Sequence, residues 1–457
     1  MRFKKITNKV LWIFAIGQFG WSLLSGIISN WLVYYYTDSQ AGVFGKNITG
    51  GTLFWSITLF GLITMVGRIF DAVTDPMIAG WSDRSNFKGG RRIPFMKVIA
   101  VPFAVMTACV FVLPQTSNVL LNDIIIFVTL MLFYLFMTIY CTPYNALISE
   151  LGDTQKNRVN VSTFISFTYI AGLSVSYLIP NLAQVLGGGQ TTAKSIRLAI
   201  GIMCLVAAIA MLIPSLWIKE RDYIKSEPVK TKAFRSLFKT FKNRQFVRFV
   251  LSDIIYFFAV TLFQTGLAFY ETKLMGIDDT WTFLLTVIMT LVSLCLYPLI
   301  NKTALRVGKK KLIIVGFFAY AFVFLLASVC GQGLFWGIAI AVCAGIPMAI
   351  LGILPQAVVA DISEVDAVES GEQRSGMFFA ARTFAMKMGQ AVSMLVFTSV
   401  VAAFTTGSGQ ASTVEPFGYR LTAIIATVFC IIGAVLFFFY DEKGVMKKIA
   451  EKEDKNA

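Results

Sequence analysis

In a chain of 457 residues, 56% hydrophobic and 14% charged side chains, with 41 Phe among them, exclude an ordinary soluble domain, where about a quarter of the residues carry charge. The net charge of +15 would suit nucleic acid, but the basic residues stand in short stretches between apolar runs, so no nucleic-acid surface is expected. No residue is histidine, so the usual neutral-pH proton shuttle and the commonest zinc or haem ligand are missing, and proton chemistry falls to carboxylates, Lys or Tyr.

The apolar runs are roughly 18–28 residues long, enough to cross a hydrocarbon core of ~30 Å at ~1.5 Å per residue. In chain order the predicted spans are 11–36, 52–80, 97–115, 122–150, 160–186, 196–218, 246–271, 281–300, 312–330, 333–360, 376–404 and 418–440. The first is too long for a signal peptide and lacks a small-residue cleavage site. The basic clusters (Arg2 to Lys9, Arg84 to Lys97, Lys219 to Arg248, Lys302 to Lys311, Lys443 to Lys455) fall on alternate sides of successive spans, which places both termini in the cytoplasm. The seven Cys lie within apolar runs and form no CxxC, so they read as small buried residues without disulfides or metal.

This is an all-α membrane protein of twelve transmembrane helices in two six-helix halves, 1–218 and 246–440, joined by a basic cytoplasmic linker, 219–245, and ending in a cytoplasmic tail, 441–457. The halves carry analogous turns, GWSDRSNFKGGRRIPF at 80–95 and NKTALRVGKKK at 301–311, an internal symmetry expected of a duplicated transporter. Gly80, Gly89, Gly90 and Gly308 permit close approach there, and Asp83 and Arg84 can bond helix ends, so the turns read either as a cytoplasmic latch or as plain topogenic loops.

Polar residues inside the spans carry the functional signal. In the first span Gln18, Trp21, Ser22, Ser25, Ser29 and Asn30 combine hydrogen-bonding groups with an aromatic platform, the combination that holds sugars; helix packing is the competing reading. In the second, Arg68, Asp71, Thr74 and Asp75 share one helix face. Carboxylates are costly in hydrocarbon, so Asp71 and Asp75 should bind a small cation, a proton or Arg68, or form a structural ion network. In the fourth, Thr138, Tyr140, Cys141, Thr142, Tyr144 and Asn145 surround Pro143; Thr138 completes a cation site if the second and fourth helices touch, and the others line a substrate cavity or pack. The seventh adds Asp253 and Tyr256. Beyond the tenth, Asp361, Glu364, Asp366, Glu369 and Glu372 form an acidic loop that either pairs with the basic turns or is simply solvated, with Arg374 and Arg382 following. Lys387 lies about 16 Å into the eleventh span, where it should meet Asp71, Asp75 or substrate.

Together these motifs resemble the glycoside–pentoside–hexuronide cation symporters of the major facilitator superfamily, typified by the melibiose permease. The resemblance rests on NWLVYYYTD at 30–38, DAVTDP at 71–76, GGRRIPFM at 89–96, TIYCTPYNAL at 138–147, VAD at 359–361 with the second acid Asp366, and RTFAMKMG at 382–389. It implies a major facilitator fold and no enzymatic activity. It also implies a cation site of Asp71, Thr74, Asp75 and Thr138, coupling to Na⁺, H⁺ or Li⁺, and no cofactor. Read from the polar residues of the spans, the candidate substrate residues are Gln18, Trp21, Ser22, Tyr140, Cys141, Tyr144, Asn145, Asp253, Tyr256 and Lys387, and the resemblance matches Lys387 to the family's lysine of the eleventh helix. Gating or structural roles fall to Arg68, Asp83, Arg84, Arg91, Arg92, Asp361 and Arg374. Where the melibiose permease has charged or aromatic sugar ligands this chain has Ser22, Cys141, Asn145 and Ser166, so the galactoside clamp is absent. The expected protein is a monomeric cation-coupled symporter of a sugar or glycoside, surrounded by membrane lipid in a bacterial inner membrane. Proton-coupled transport or efflux of a non-sugar or lipid-like solute is the alternative.

Overall fold

The computed structural model describes residues 6–37, 48–49, 52–54, 57–85, 87, 89–151, 155–223, 240–370, 375–406 and 413–456. In the first half α1 is Asn8–Thr37, α2 Leu59–Arg84, α3 Ile93–Val112, α4 Val119–Leu151, α5 Gln155–Ser176 and α6 Ala193–Trp217. In the second, α7 is Arg244–Leu274, α8 Thr282–Val307, α9 Lys309–Val329, α10 Leu334–Ser370, α11 Ser375–Ala403 and α12 Pro416–Phe437. Among the described residues ten helices are long and apolar enough to cross a membrane, or eleven when the bent fifth span is counted as one. The remaining helix, α2, carries Arg68, Asp71 and Asp75 in its middle, and its length of 26 residues is still that of a span.

The chain divides into two compact units, chiefly Thr58–Lys232 with Met1–Leu53, and Ala233–Thr406 with Thr413–Ala457. Within the first, α1 packs on α5 and α6, α3 on α4 and α6, and α2 on α4. Within the second, α7 packs on α11 and α12, α9 on α10 and α12, and α8 on α10. Adding six to each helix number of the first set gives the second, so the halves repeat one packing scheme, a stronger sign of duplication than the paired turns.

Several elements depart from the predicted spans for physical reasons. The fifth span breaks at Tyr177–Leu178 and resumes as Ile179–Leu186 at 44°, because Pro180 opens a new helix and cannot continue the old one. The tenth helix does not stop at 360 but runs 37 residues to Ser370, so Asp361, Glu364, Asp366 and Glu369, expected in a loop, stand on a helix, while Glu372 lies outside the described residues. The first helices of both halves contain a π-turn, Ile27–Trp31 in α1 and Tyr270–Leu274 in α7, which leaves the apolar pattern continuous and is therefore silent in the sequence.

The turns before α3 and α9 close by one device in each half. Gly90 and Gly308 adopt φ of +123° and +94°, conformations that favour glycine. In the first half, the buried Glu220 carboxylate then accepts the backbone N–H groups of Arg91, Arg92 and Ile93 at 2.8, 2.8 and 3.0 Å, capping α3. In the second, Glu442 accepts from Lys309 N and Lys310 N at 2.6 and 3.1 Å, capping α9. A carboxylate at a helix N-terminus satisfies orphan donors and complements the helix dipole. Glu220→Ala is expected to cost about 3 kcal/mol and Glu220→Gln about half that. Melting of the purified variants checks this, and a wild-type melting temperature for Glu220→Ala would refute it.

Candidate functional site

The charged face of α2 meets α4 inside the first half. Asp71 is completely buried, and Thr138 Oγ1 of α4 donates to its Oδ1 at 2.9 Å. Thr74 Oγ1 donates to the Asp71 carbonyl at 3.1 Å and lies 3.3 Å from Thr138 Oγ1. One helical turn further on, Asp75 is half-buried and its Oδ1 accepts from Thr142 Oγ1 at 3.5 Å. The four residues expected in a cation site are thus neighbours, and Thr142 joins them. Two carboxylates, three hydroxyls and a helix carbonyl form a set of hard oxygen ligands, the chemistry that small monovalent and divalent cations prefer. Burial makes the set selective for charge, since an acid held in low dielectric is stabilised by a cation far more than in water.

Arg68, three residues before Asp71, is buried as well. Its Nη2 donates to Ser29 Oγ in the α1 π-turn at 2.9 Å, and its guanidinium carbon lies 5.3 Å from the centroid of the Tyr134 ring. Its described contacts are therefore a hydroxyl and an aromatic face, although a pairing with the acids was one of the expected arrangements.

The expected substrate residues of the first half divide in two. Trp21 and Cys141 are half-buried and Asn145 is exposed, so none of the three is sealed in the helix packing. Gln18 is buried, and its Oε1 and the Trp21 indole Nε1 have no hydrogen-bond partner among the described residues. Ser22, Tyr140 and Tyr144, by contrast, are sealed in helix packing. Ser22 Oγ turns back to the Phe19 carbonyl at 3.1 Å, while the tyrosine hydroxyls donate to the carbonyls of Met211 at 3.0 Å and Phe14 at 2.8 Å. Their polar groups are consumed by neighbouring backbone.

In the second half, Asp253 is held bidentately by Arg382, with Nε to Oδ2 at 2.7 Å and Nη2 to Oδ1 at 3.1 Å. The Arg382 guanidinium also lies 5.8 and 5.7 Å from the ring centroids of Phe249 and Phe257. Asp253 and Tyr256 border a recess with Phe249, Ser252, Phe317 and Pro355 that has room for no more than about one water molecule, far too little for a sugar. Lys387 is buried in α11.

At the turn before α3, Arg91 and Arg92 are buried beside the Glu220 cap. Asp361 accepts from Lys309 Nζ at 2.5 Å, an ion pair joining α10 to the first residue of α9. Asp366 accepts from Asn243 Nδ2 at 3.2 Å, and Glu369 pairs with Lys448. Asp83 and Arg84 end α2, but their side chains, like the whole of Arg374, lie outside the described residues. Sequence reasoning missed the capping role of Glu220 and Glu442. Their shared signal is an acid set three and five residues beyond the ends of α6 and α12, at Trp217 and Phe437.

A membrane chain of two like six-helix halves, with acids and hydroxyls gathered in the middle of one, is a secondary transporter of the major facilitator fold and not an enzyme. Residues 13–442 match the family model described as MFS/sugar transport protein, and the chain belongs to that family, as its motifs lead one to expect. An uncharacterized symporter of Bacillus subtilis, YnaJ, is 27% identical over 97% of this chain and 94% of its own. The isoprimeverose transporter of Lactiplantibacillus pentosus is 24% identical over 97% and 91%. Among solved structures, a mutant form of the nucleoside transporter NupG superposes with a TM-score of 0.67 at 14% identity, covering 94% of this chain and 98% of that one, a likeness of fold.

Proposed function

We propose that the protein is a cation-coupled symporter of a sugar or glycoside that works by alternating access. The observation that carries this reading is the Asp71–Thr74–Thr138 cluster with Asp75 and Thr142 beside it, a buried set of hard oxygens on two packed helices. A monovalent metal cation, Na⁺ or Li⁺, occupies this set, and the solute binds against Trp21, Gln18, Cys141 and Asn145. Reorientation occurs only when both sites are filled or both are empty, so coupling is a reciprocal free energy between them. The isoprimeverose transporter's place among the relatives supports a glycoside substrate. The bacterial relatives and the basic turns support a place in a bacterial inner membrane with both termini inside.

A thermal-stabilisation screen of the purified protein tests the reading: a panel of glycosides and pentosides in Na⁺, Li⁺ or K⁺ buffer, with a lysophospholipid and a nucleoside as further arms. A true ligand at a hundredfold excess over Kd adds about 2.7 kcal/mol to stability by mass action. The expected result is a glycoside whose stabilisation grows in Na⁺ or Li⁺ and not in K⁺. The neutral Ser22, Cys141, Asn145 and Ser166 favour the second reading, a less polar solute or a proton as driver. Stabilisation by the lysophospholipid alone, indifferent to the cation, would establish it in place of the first.

A further inference from the structure

We propose that Ser29 and Tyr134 are positioning residues that hold Arg68 away from Asp71 and Asp75 and thereby set the affinity of the cation site; the inference rests on the cation-site reading above. Arg68 shares a helix face with both acids, and a guanidinium on that stem is the natural partner of a buried carboxylate through paired hydrogen bonds. An arginine bound there would compete with a monovalent cation for the same oxygens. A site that loads a cation from solution therefore needs its neighbouring arginine engaged elsewhere.

The structure supplies that engagement from two elements. In α1 the π-turn Ile27–Trp31 carries Ser29, whose Oγ takes the Arg68 Nη2 proton at 2.9 Å. The turn is pinned to α5, since Asn30 Nδ2 donates to Ser176 Oγ at 3.0 Å and Trp31 Nε1 donates to the Ser176 carbonyl at 2.8 Å. A π-turn inserts one residue, and each residue of an ordinary helix advances by about 100°, so without it Ser29 and the anchors that follow would not all face their present partners. From α4 the Tyr134 ring lies under the guanidinium, 5.3 Å from centroid to carbon. That ring reaches α2 only because residue 67 is glycine: a Cβ there would stand 2.6 Å from Tyr134 Cε2. Arg68 is 6% exposed, and its Nε has no hydrogen-bond partner among the described residues, so these two contacts fix it where it stands.

Titration of the purified protein with NaCl and with LiCl, read as the rise in melting temperature, gives a half-saturation concentration without knowledge of the substrate. Ser29→Ala and Tyr134→Leu should each raise that concentration by about tenfold as Arg68 relaxes toward the acids, while Ser29→Thr and Tyr134→Phe, which keep the hydroxyl and the ring, stay near wild type. Because Ser29 acts through Arg68, Ser29→Ala should change nothing further in an Arg68→Gln background. A merely structural role would lower the melting temperature in cation-free buffer and leave half-saturation unmoved; that outcome, or a Ser29→Ala effect that persists beside Arg68→Gln, overturns the proposal. A wild-type protein with no saturable response to either cation overturns the cation-site reading itself, and the proposal with it.

Discussion

Asp71→Asn and Asp75→Cys are expected to abolish concentrative uptake while leaving exchange of substrate across the membrane within several-fold of wild type. The reasoning starts from what accumulation requires. A membrane potential of 100 mV is worth about 2.3 kcal/mol per charge moved, enough to sustain roughly a fiftyfold solute gradient for each coupled cation. That free energy reaches the solute only if the empty-cation carrier cannot reorient with substrate bound, a discrimination that the proposed cation site assigns to the two acids. Negative charge inside the bundle is costly, and a cation offsets that cost; the amide or thiol removes it permanently. The variants should therefore carry substrate with no cation bound, and the internal to external ratio should fall to about one. Asp71 is the sharper test, since it is fully buried and the amide is nearly isosteric. Thr138→Val, which removes the hydroxyl on Asp71 Oδ1, should retain coupling with a weaker cation dependence. Uptake of labelled substrate into proteoliposomes, with and without an imposed Na⁺ gradient and beside counterflow in the same vesicles, separates the two activities. Concentrative uptake by Asp71→Asn would remove this pair from the coupling mechanism.

How far the sequence revealed this arrangement depended on how each polar group is satisfied. Asp71 and Asp75 were legible because a carboxylate in an apolar run is expensive whatever surrounds it, and their spacing put them on one face. Thr138 needed either the resemblance or knowledge that α2 touches α4. For Tyr140, Tyr144 and Ser22 the sequence leaves cavity and packing equally open, because a polar side chain in a membrane helix looks the same whether its partner is a solute or a backbone carbonyl; only packing reveals Met211, Phe14 and Phe19 as the partners. Glu220 and Glu442 were hidden by their basic surroundings, where an acid reads as one more solvated charge. The two π-turns were invisible, because one extra residue in a turn does not interrupt an apolar run. The twelve-helix count, by contrast, followed from length and apolarity alone, with α2 as the instructive exception whose charges mark the site.

Asp253 carries the second large effect, and it separates a structural acid from a substrate ligand. Arg382→Ala is expected to destabilise the second half by about 3–5 kcal/mol, because it strands a carboxylate in a site where water does not replace the lost partner. Both partners are well buried, with side-chain exposures of 12% for Arg382 and 3% for Asp253. Arg382→Lys should recover only part of the loss, since a point charge cannot reproduce the paired hydrogen bonds or the packing between the Phe249 and Phe257 rings. The neutral pair Asp253→Asn with Arg382→Gln should be more stable than Arg382→Ala, because no uncompensated charge remains, and a double-mutant cycle should show coupling of at least about 2 kcal/mol. Unfolding of the detergent-solubilised variants measures these terms, and additive single effects would mean that the pair is not a unit. Transport supplies the complementary reading. If Asp253 held substrate, its removal would raise KM even in the neutral pair; with both oxygens already committed to Arg382, the neutral pair should instead keep a KM within about twofold of wild type once folded.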